Sequence, residues 1–318
     1  LTDEDLIPEE DLIVTLSKAG YAKTQPLDTY QAQNRGGTGK RAASLKDEDF
    51  VSKLFVANTH DTLLCFSSYG KVYWIKVYRL PRGGRNAKGR PIVNLLPLEK
   101  DERIQAVLPV KEFNDDQFIF MATETGSVKK TKLSAYSRPM KSGIKAIKLR
   151  DGDRVVNAEI TDGTKEIMLF SNSGKSIRFK ESDARPMGRV SQGVRGMRID
   201  KDQKIISLVV LEEGNILVAT ENGYGKQTLK DEFSIQKRGG KGVIAIQTSN
   251  RNGNLIGAKQ VSTGDEVMFI STSGNLIRTR TDDISVIGRN TQGVRLIRLS
   301  EDDNLLGMEK VISEDDEE

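Results

Sequence analysis

Cysteine is almost missing from this 318-residue sequence. Cys65 is the only one, so neither an intrachain disulfide nor a cysteine-based zinc site can form, a usage that suits a reducing cytoplasm. It sits in an apolar stretch, where a core position is expected rather than a nucleophile. Histidine is equally scarce: His60 has no second histidine and no thiol cluster with which to hold a metal, and a structural or surface role is expected for it. No apolar run approaches the roughly 20 residues of a membrane helix, so no membrane partner is expected. The chain opens on Leu1 rather than Met, as a fragment cut from a longer polypeptide would. At 36% hydrophobic it still has enough apolar residues for a sizeable core.

Charge is plentiful, and it is segregated. The formal net charge is only +4, yet residues 1–11 carry six acids and no base, and residues 312–318 carry five acids and no base. Residues 12–311 therefore hold 49 bases against 34 acids, a net of +15. A polycationic body with acidic ends favours polyanionic partners, nucleic acid above all, while acidic runs are usually solvated tails.

An internal repeat organises the body. The frame Ser/Thr-x-x-Gly recurs six times inside apolar segments, at Ser17–Gly20, Ser67–Gly70, Thr123–Gly126, Ser171–Gly174, Thr220–Gly223 and Ser271–Gly274, with glycines 48 to 56 residues apart. Each frame follows an apolar run such as Leu63-Leu64-Cys65-Phe66 and precedes an alternating one such as Lys175-Ser176-Ile177-Arg178-Phe179, the pattern of a β-hairpin whose glycine takes a positive φ. A second glycine lies 19 residues past the first in five units (Gly39, Gly89, Gly193, Gly242, Gly293) and 17 past it in the third (Gly143). A short apolar strand, a turn and a last strand follow. Six units of about four strands each predict an all-β fold of blades around an axis, in which no unit has a core of its own. The expected boundaries are an acidic arm 1–11, blades at about 12–58, 59–110, 111–161, 162–211, 212–261 and 262–311, and an acidic tail 312–318.

The loop before the second glycine carries cations in every unit. In unit five it reads Gln236-Lys237-Arg238-Gly239-Gly240-Lys241-Gly242, and in unit one Gln33-Asn34-Arg35-Gly36-Gly37-Thr38-Gly39-Lys40-Arg41. Unit two offers Arg82, Arg85, Lys88 and Arg90; unit three Arg138, Lys141 and Lys145; unit four Arg185, Arg189 and Arg195; unit six Arg289, Arg295 and Arg298. Glycine lets backbone N–H groups approach phosphate oxygens, and Arg and Lys supply charge. No helix with spaced Arg, Asn or Gln is present to read base edges, so duplex binding should be largely sequence-independent and strongly salt-dependent. Cations on the rim of a disc would also hold the polyanion on a curve. Smoothly bending a 20 to 30 base-pair site by 40 to 90° costs on the order of 1 to 6 kcal/mol, which distributed phosphate contacts can offset.

Other chemistries fit less well. The GGTGK at Gly36–Lys40 hints at a P-loop, but Asn34 and Arg41 stand where that motif needs Gly and Ser or Thr. The acid pairs Asp282-Asp283 and Asp302-Asp303 fall in polar, turn-like stretches, and solvated turns suit them better than acid/base or Mg²⁺ work. Tyr21, Tyr69, Tyr73, Trp74 and Tyr78 are available for stacking, although strand aromatics usually pack.

The six-unit array with its Gln-x-Arg-Gly-Gly-x-Gly loop resembles the C-terminal domain of the DNA gyrase A subunit over about Asp11 to Val311. Three stretches carry the likeness beyond the repeat: Val56–Asp61, Gly89–Leu98 and Gly288–Val294. The resemblance implies a six-bladed β-pinwheel whose blades exchange strands and wrap double-stranded DNA around a basic rim, giving a type II topoisomerase its chiral strand passage and negative supercoiling. It further implies no active site in this fragment, ATP and Mg²⁺ used elsewhere in the holoenzyme, partnership with the remainder of the gyrase A polypeptide and with the gyrase B polypeptide in an A2B2 complex, and a bacterial cytoplasmic, nucleoid-associated setting. The family's hallmark box, Gln-Arg-Arg-Gly-Gly-Lys-Gly, belongs to the first blade. Here Asn34 and Thr38 replace cations in the first-blade copy, and the copy nearest the family pattern is in unit five. Alternatives are the matching domain of topoisomerase IV, which tends to lack the box, and a protein-docking propeller, which would show apolar disc faces and little response to salt.

Overall fold

Each Ser/Thr-x-x-Gly frame closes a hairpin in the computed structural model, which describes residues 2–30 and 49–312. The six hairpin glycines have φ between +78° and +96°, and each donates its N–H to the carbonyl of the Ser or Thr three residues before it, at 3.0 to 3.1 Å. The hydroxyl has its own task. In four hairpins it accepts the N–H that follows the glycine: Tyr21 on Ser17, Lys71 on Ser67, Ser127 on Thr123 and Asn275 on Ser271, at 3.1 to 3.3 Å. The frame needs a short hydroxyl side chain at its first position for this reason, and glycine at its fourth because the left-handed conformation is costly for other residues.

The hairpins are Asp11–Ser17 with Tyr21–Pro26, Thr62–Ser67 with Lys71–Lys76, Phe118–Thr123 with Ser127–Lys132, Glu166–Ser171 with Lys175–Lys180, Asn215–Thr220 with Tyr224–Thr228, and Glu266–Ser271 with Leu276–Arg280. A third strand from the same unit flanks each one: Val51–Asn58, Ile104–Val110, Val155–Thr161, Ile205–Val210, Leu255–Val261 and Leu305–Val311. From blade two to blade six the third strands of neighbouring blades lie against one another, and that of blade six lies against that of blade one. The ring closes where the Ile312 N–H reaches the Val51 carbonyl at 3.2 Å and Lys18 pairs with Glu309 at 2.9 Å.

The fourth strand of a sheet comes from the next unit. Arg90–Pro91 of unit two pairs with Tyr21–Pro26 of blade one; Ile144–Lys145, Val194–Arg195, Val243–Ile244 and Val294–Arg295 do the same for blades two to five. Units two to six thus each supply four strands, but not to one sheet, which is the exchange that the family resemblance implies. Among the described residues blade six has three strands; the unit-one stretch from Gly39 that would match lies outside them.

The core lies between blades, not within them. In blade two, Leu63 and Cys65 pack towards blade one, whereas Leu64 and Phe66 pack towards blade three. Among the described residues five such seams join the six blades, so strands such as Glu166–Ser171 are apolar on both faces. Cys65 is fully buried, as expected, and burial pushes its thiol up to about 12. Trp74 and Tyr73 serve packing: the indole donates to the Tyr136 carbonyl at 2.8 Å, and the buried Tyr73 hydroxyl bonds Glu102 at 2.9 Å. Asp303 holds a turn, accepting from Thr272 and Ser273, bonds that keep its carboxyl down at about 2. No helix among the described residues is long and apolar enough to cross a membrane.

Candidate nucleic-acid interface

Strand exchange decides where the cation loops go. The loops of units two to six leave their own blades after the hairpin and run along the edge of the preceding one: Ala22 and Thr24 of blade one meet Arg90 and Arg82 of unit two, Val72 of blade two meets Ile144 of unit three, Lys130 of blade three meets Pro186 of unit four, Arg178 of blade four meets Ile235 of unit five, and Gln227 of blade five meets Val286 of unit six. The second glycines are what allow this. A Cβ on Gly89 would lie 2.2 Å from the Ala22 carbonyl oxygen, and one on Gly242 would lie 2.2 Å from that of Ser176. Both have φ in the left-handed region, +84° and +76°.

Beneath alternate loops sits a buried lysine that sequence reading passed over. Three residues past the hairpin glycine, blades one, three and five carry Lys23, Lys129 and Lys226, whereas blades two, four and six carry Tyr73, Ile177 and Ile277. Lys23 donates to the carbonyls of Gly84 and Arg85 at 3.1 and 3.0 Å. Lys129 donates to those of Ala146 and Arg189. Lys226 reaches Gly288, Arg289 and Thr291 carbonyls at 2.8, 2.5 and 3.3 Å. The loops they hold share a Gly-Arg-x-x-x-Gly frame: Gly84 to Gly89, Gly188 to Gly193 and Gly288 to Gly293. Burial holds the Lys129 amine down at about 7 and the Lys226 amine at about 8, with neighbouring Arg189 and Arg289 pushing the same way.

The cations divide into two sets. Arg189, Arg238 and Arg289 tie loop to loop: their guanidinium groups donate to the carbonyls of Lys145, Arg195 and Ile244, each on the exchanged strand of the unit before, at 2.5 to 2.6 Å. Arg238 also reaches the Asp183 carbonyl, and the box glycines join in, with Gly239 N–H on the Gly196 carbonyl and Arg198 N–H on that of Gly240. From unit three to unit six the loops form one laterally bonded chain. Lys141, Lys145, Arg195, Lys237 and Lys241 instead point outwards, exposed and with no side-chain partner among the described residues. Lys88 lies over the Tyr21 ring at 4.3 Å. Arg90 is exposed beside it, and Gln236 anchors the start of its loop through its N–H on the Arg178 carbonyl. Gln33, Arg35, Gly36, Gly37, Gly39, Lys40 and Arg41, and with them the GGTGK stretch, lie outside the described residues.

One acidic end behaves unlike a solvated tail. Thr59 receives the N-terminal segment, its hydroxyl donating to the Pro8 carbonyl at 2.9 Å, and Glu10 pairs with Arg82 at 2.8 Å. Glu4 pairs with Lys76 at 3.2 Å, and His60 bonds the Ile7 carbonyl at 2.8 Å with Glu4 and Glu9 near its other nitrogen. Arg82 is therefore occupied by an intrachain carboxylate. No group of three or more metal-ligating side chains occurs among the described residues.

The chain matches the family model described as DNA gyrase C-terminal domain, beta-propeller, in six segments: 11–58, 61–111, 117–162, 165–212, 214–262 and 265–312. It is similar to the DNA gyrase A subunits of Salmonella typhimurium and of Escherichia coli K12, at 54% identity over 316 residues in each case, covering 99% of this chain and 36% of theirs. It thus spans about a third of the length of these relatives. Among solved structures it is similar to a C-terminal domain of DNA topoisomerase IV (TM-score 0.86, 28% identity, 96% of this chain and 94% of that one) and to a DNA gyrase A C-terminal domain (TM-score 0.69, 28% identity, 95% and 100%). Six repeats matched end to end, on a strand-exchanged ring with cationic rim loops, place the chain in the DNA gyrase C-terminal domain, beta-propeller family.

Proposed function

We propose that this chain is the non-catalytic DNA-wrapping domain of a DNA gyrase A polypeptide, binding double-stranded DNA on its rim largely without regard to sequence and bending it so that strand passage has one handedness. The observation that carries the reading is the bonded chain of rim loops. Clamped arginines make the loops rigid, so the outward cations are held at blade spacing before DNA arrives and little ordering cost remains on binding. A duplex that touched successive blades would follow the curve of the disc, its bending cost offset by distributed phosphate contacts. The domain acts with the remainder of the gyrase A polypeptide and with the gyrase B polypeptide in an A2B2 complex that supplies the strand-cutting site, ATP and Mg²⁺; its setting is the bacterial cytoplasm, on the nucleoid. The topoisomerase IV likeness supports a second reading, the C-terminal domain of a topoisomerase IV subunit.

Salt dependence tests the binding step. With about 8 to 10 phosphates neutralised, log K should fall against log salt with a slope of roughly −7 to −9; a slope near zero, with binding retained, would favour a protein-docking surface. The Glu10–Arg82 pair gives a smaller effect. An exposed ion pair is worth about 0.2 to 1 kcal/mol, so Glu10→Gln should tighten duplex binding by up to about fivefold at low salt and hardly at all at high salt. Anisotropy titrations at two ionic strengths would decide it, and a weakening at low salt would contradict the competition.

A further inference from the structure

We propose that the notch beside the blade-three hairpin is a phosphate socket, in which a phosphate oxyanion takes the guanidinium N–H groups of Arg150, Arg195 and Arg198 together with the Ser127 hydroxyl. Blades three and five differ at one register. In blade five the exchanged strand pairs Arg295 with Tyr224, and in blade three it pairs Arg195 with Ser127. The Tyr224 hydroxyl accepts from Arg295 at 2.8 Å and from Arg251 at 3.2 Å, and both guanidinium groups lie 5.2 Å from its ring. Two cations on one phenol oxygen favour its anionic form, and these bonds lower the Tyr224 pKa. An oxygen with anionic character is therefore what this geometry accepts.

Blade three lacks that oxygen. Ser127 is too short to replace the phenol, and a cavity of about 190 Å³ opens there, lined by Thr125, Ser127, Arg150, Arg195 and Arg198 among others. None of the three arginines has a side-chain partner among the described residues. No acid is among the residues lining the notch, and Asp153, which contacts Thr125, is buried and already spent on its hydroxyl and N–H at 2.7 and 3.1 Å. Arg198 and Gly126 are held by backbone bonds, Arg198 N–H to the Gly240 carbonyl and the Gly196 and Met197 N–H groups to that of Gly126, so the notch does not depend on a ligand for its shape. Three unpaired guanidinium groups around a cavity that could hold a few waters form a site for a compact dianion or a backbone phosphodiester. The proposal rests on the DNA-wrapping reading only for the source of the phosphate.

Ser127→Tyr is the informative variant, because it supplies the missing phenol oxygen without changing charge. The arginine Nε–H NMR signals of the whole 318-residue chain would be followed during titration with inorganic phosphate and, separately, with a short duplex. Shifts at Arg150, Arg195 and Arg198 with both ligands, lost in Ser127→Tyr, are expected for a socket that seats the DNA backbone. Shifts with inorganic phosphate alone would keep the socket and assign it to a free phosphate. No shift with either ligand, or shifts that persist unchanged in Ser127→Tyr, would overturn the proposal. Should Ser127→Tyr fail to fold, Arg150→Gln removes one exposed donor and should weaken phosphate binding severalfold; unchanged affinity would likewise overturn it. A duplex that shifts no rim cation at all would count against the wrapping reading, while the phosphate arm would still decide the socket.

Discussion

Gly242→Ala is expected to cost the fold at least about 3 kcal/mol, whereas Gly274→Ala, at a glycine with nearly the same φ, should cost about 1 to 2 kcal/mol. Both residues are left-handed, at +76° and +87°, so both variants bear the same backbone strain. They differ in what the new methyl meets. At Gly274 nothing lies within 4 Å, but at Gly242 the Ser176 carbonyl oxygen stands 2.2 Å away and its carbon 2.8 Å. These are backbone atoms of the blade-four strand that receives the exchanged strand Val243–Ile244, and they can move only if that pairing opens. Chemical denaturation of the two variants reads the difference directly. Equal costs would mean that the close approach of loop to neighbouring blade is not what the glycine provides.

Lys226→Met should cost about 3 to 5 kcal/mol, the usual penalty for removing one partner of a buried charged network. The lysine is fully buried, and its amine is the donor to three loop carbonyls and the Thr291 hydroxyl; methionine fills the space but leaves those oxygens unsatisfied, each at about 1 to 3 kcal/mol. Lys129→Met should behave alike in the unit-four loop. The pair also predicts a pH dependence whose sign follows from proton uptake. In the unfolded chain these amines keep their proton to about 10.5, but in the folded chain burial lets it go near 7 for Lys129 and 8 for Lys226. The unfolded state thus binds more protons above pH 7, and the unfolding free energy should rise with pH from about 7. Lys53 and Lys130, also lowered by burial, add to the rise. Above about 9 the rise should slow, because Cys65, 9.0 when free, is held protonated to about 12 in the core, and it should reverse only past about 10.5, where the unfolded chain's lysines lose their protons too. Denaturation curves at pH 7, 8 and 9 should show the increase in the parent chain and a smaller one in the double variant; a flat parent profile would contradict it.

What sequence reading reached, and what it missed, has a physical division. The hairpins were legible because Ser17-Lys18-Ala19-Gly20 and its five counterparts encode a local turn, with donor, acceptor and φ all within five residues. The inter-blade core was legible as a repeat of apolar runs with no polar face. The destination of Gly89, Gly193 and Gly242 was not, since nothing local to a glycine says which neighbour's carbonyl it must pass; only the family likeness supplied the exchange. Lys23, Lys129 and Lys226 were invisible because a lysine in an alternating strand reads as a solvent-facing residue. The signal was present as an alternation, Lys, Tyr, Lys, Ile, Lys, Ile, at one register of six units. The same limit applies to the rim arginines. Arg195 and Arg189 look alike in sequence, and only the carbonyl of Lys145 within reach of one makes it a clamp and leaves the other for a ligand.

The central claim is that the rim bends DNA with a single handedness, and topology reads it most directly. A nicked plasmid would be incubated with saturating chain, ligated, stripped of protein, and its linking number compared across a salt series. A positive shift that fades as salt rises is the predicted result, since it requires both chiral curvature and screened phosphate contacts. An unshifted linking number at low salt, with the plasmid fully bound, would contradict the claim and leave a cationic disc that holds DNA without wrapping it.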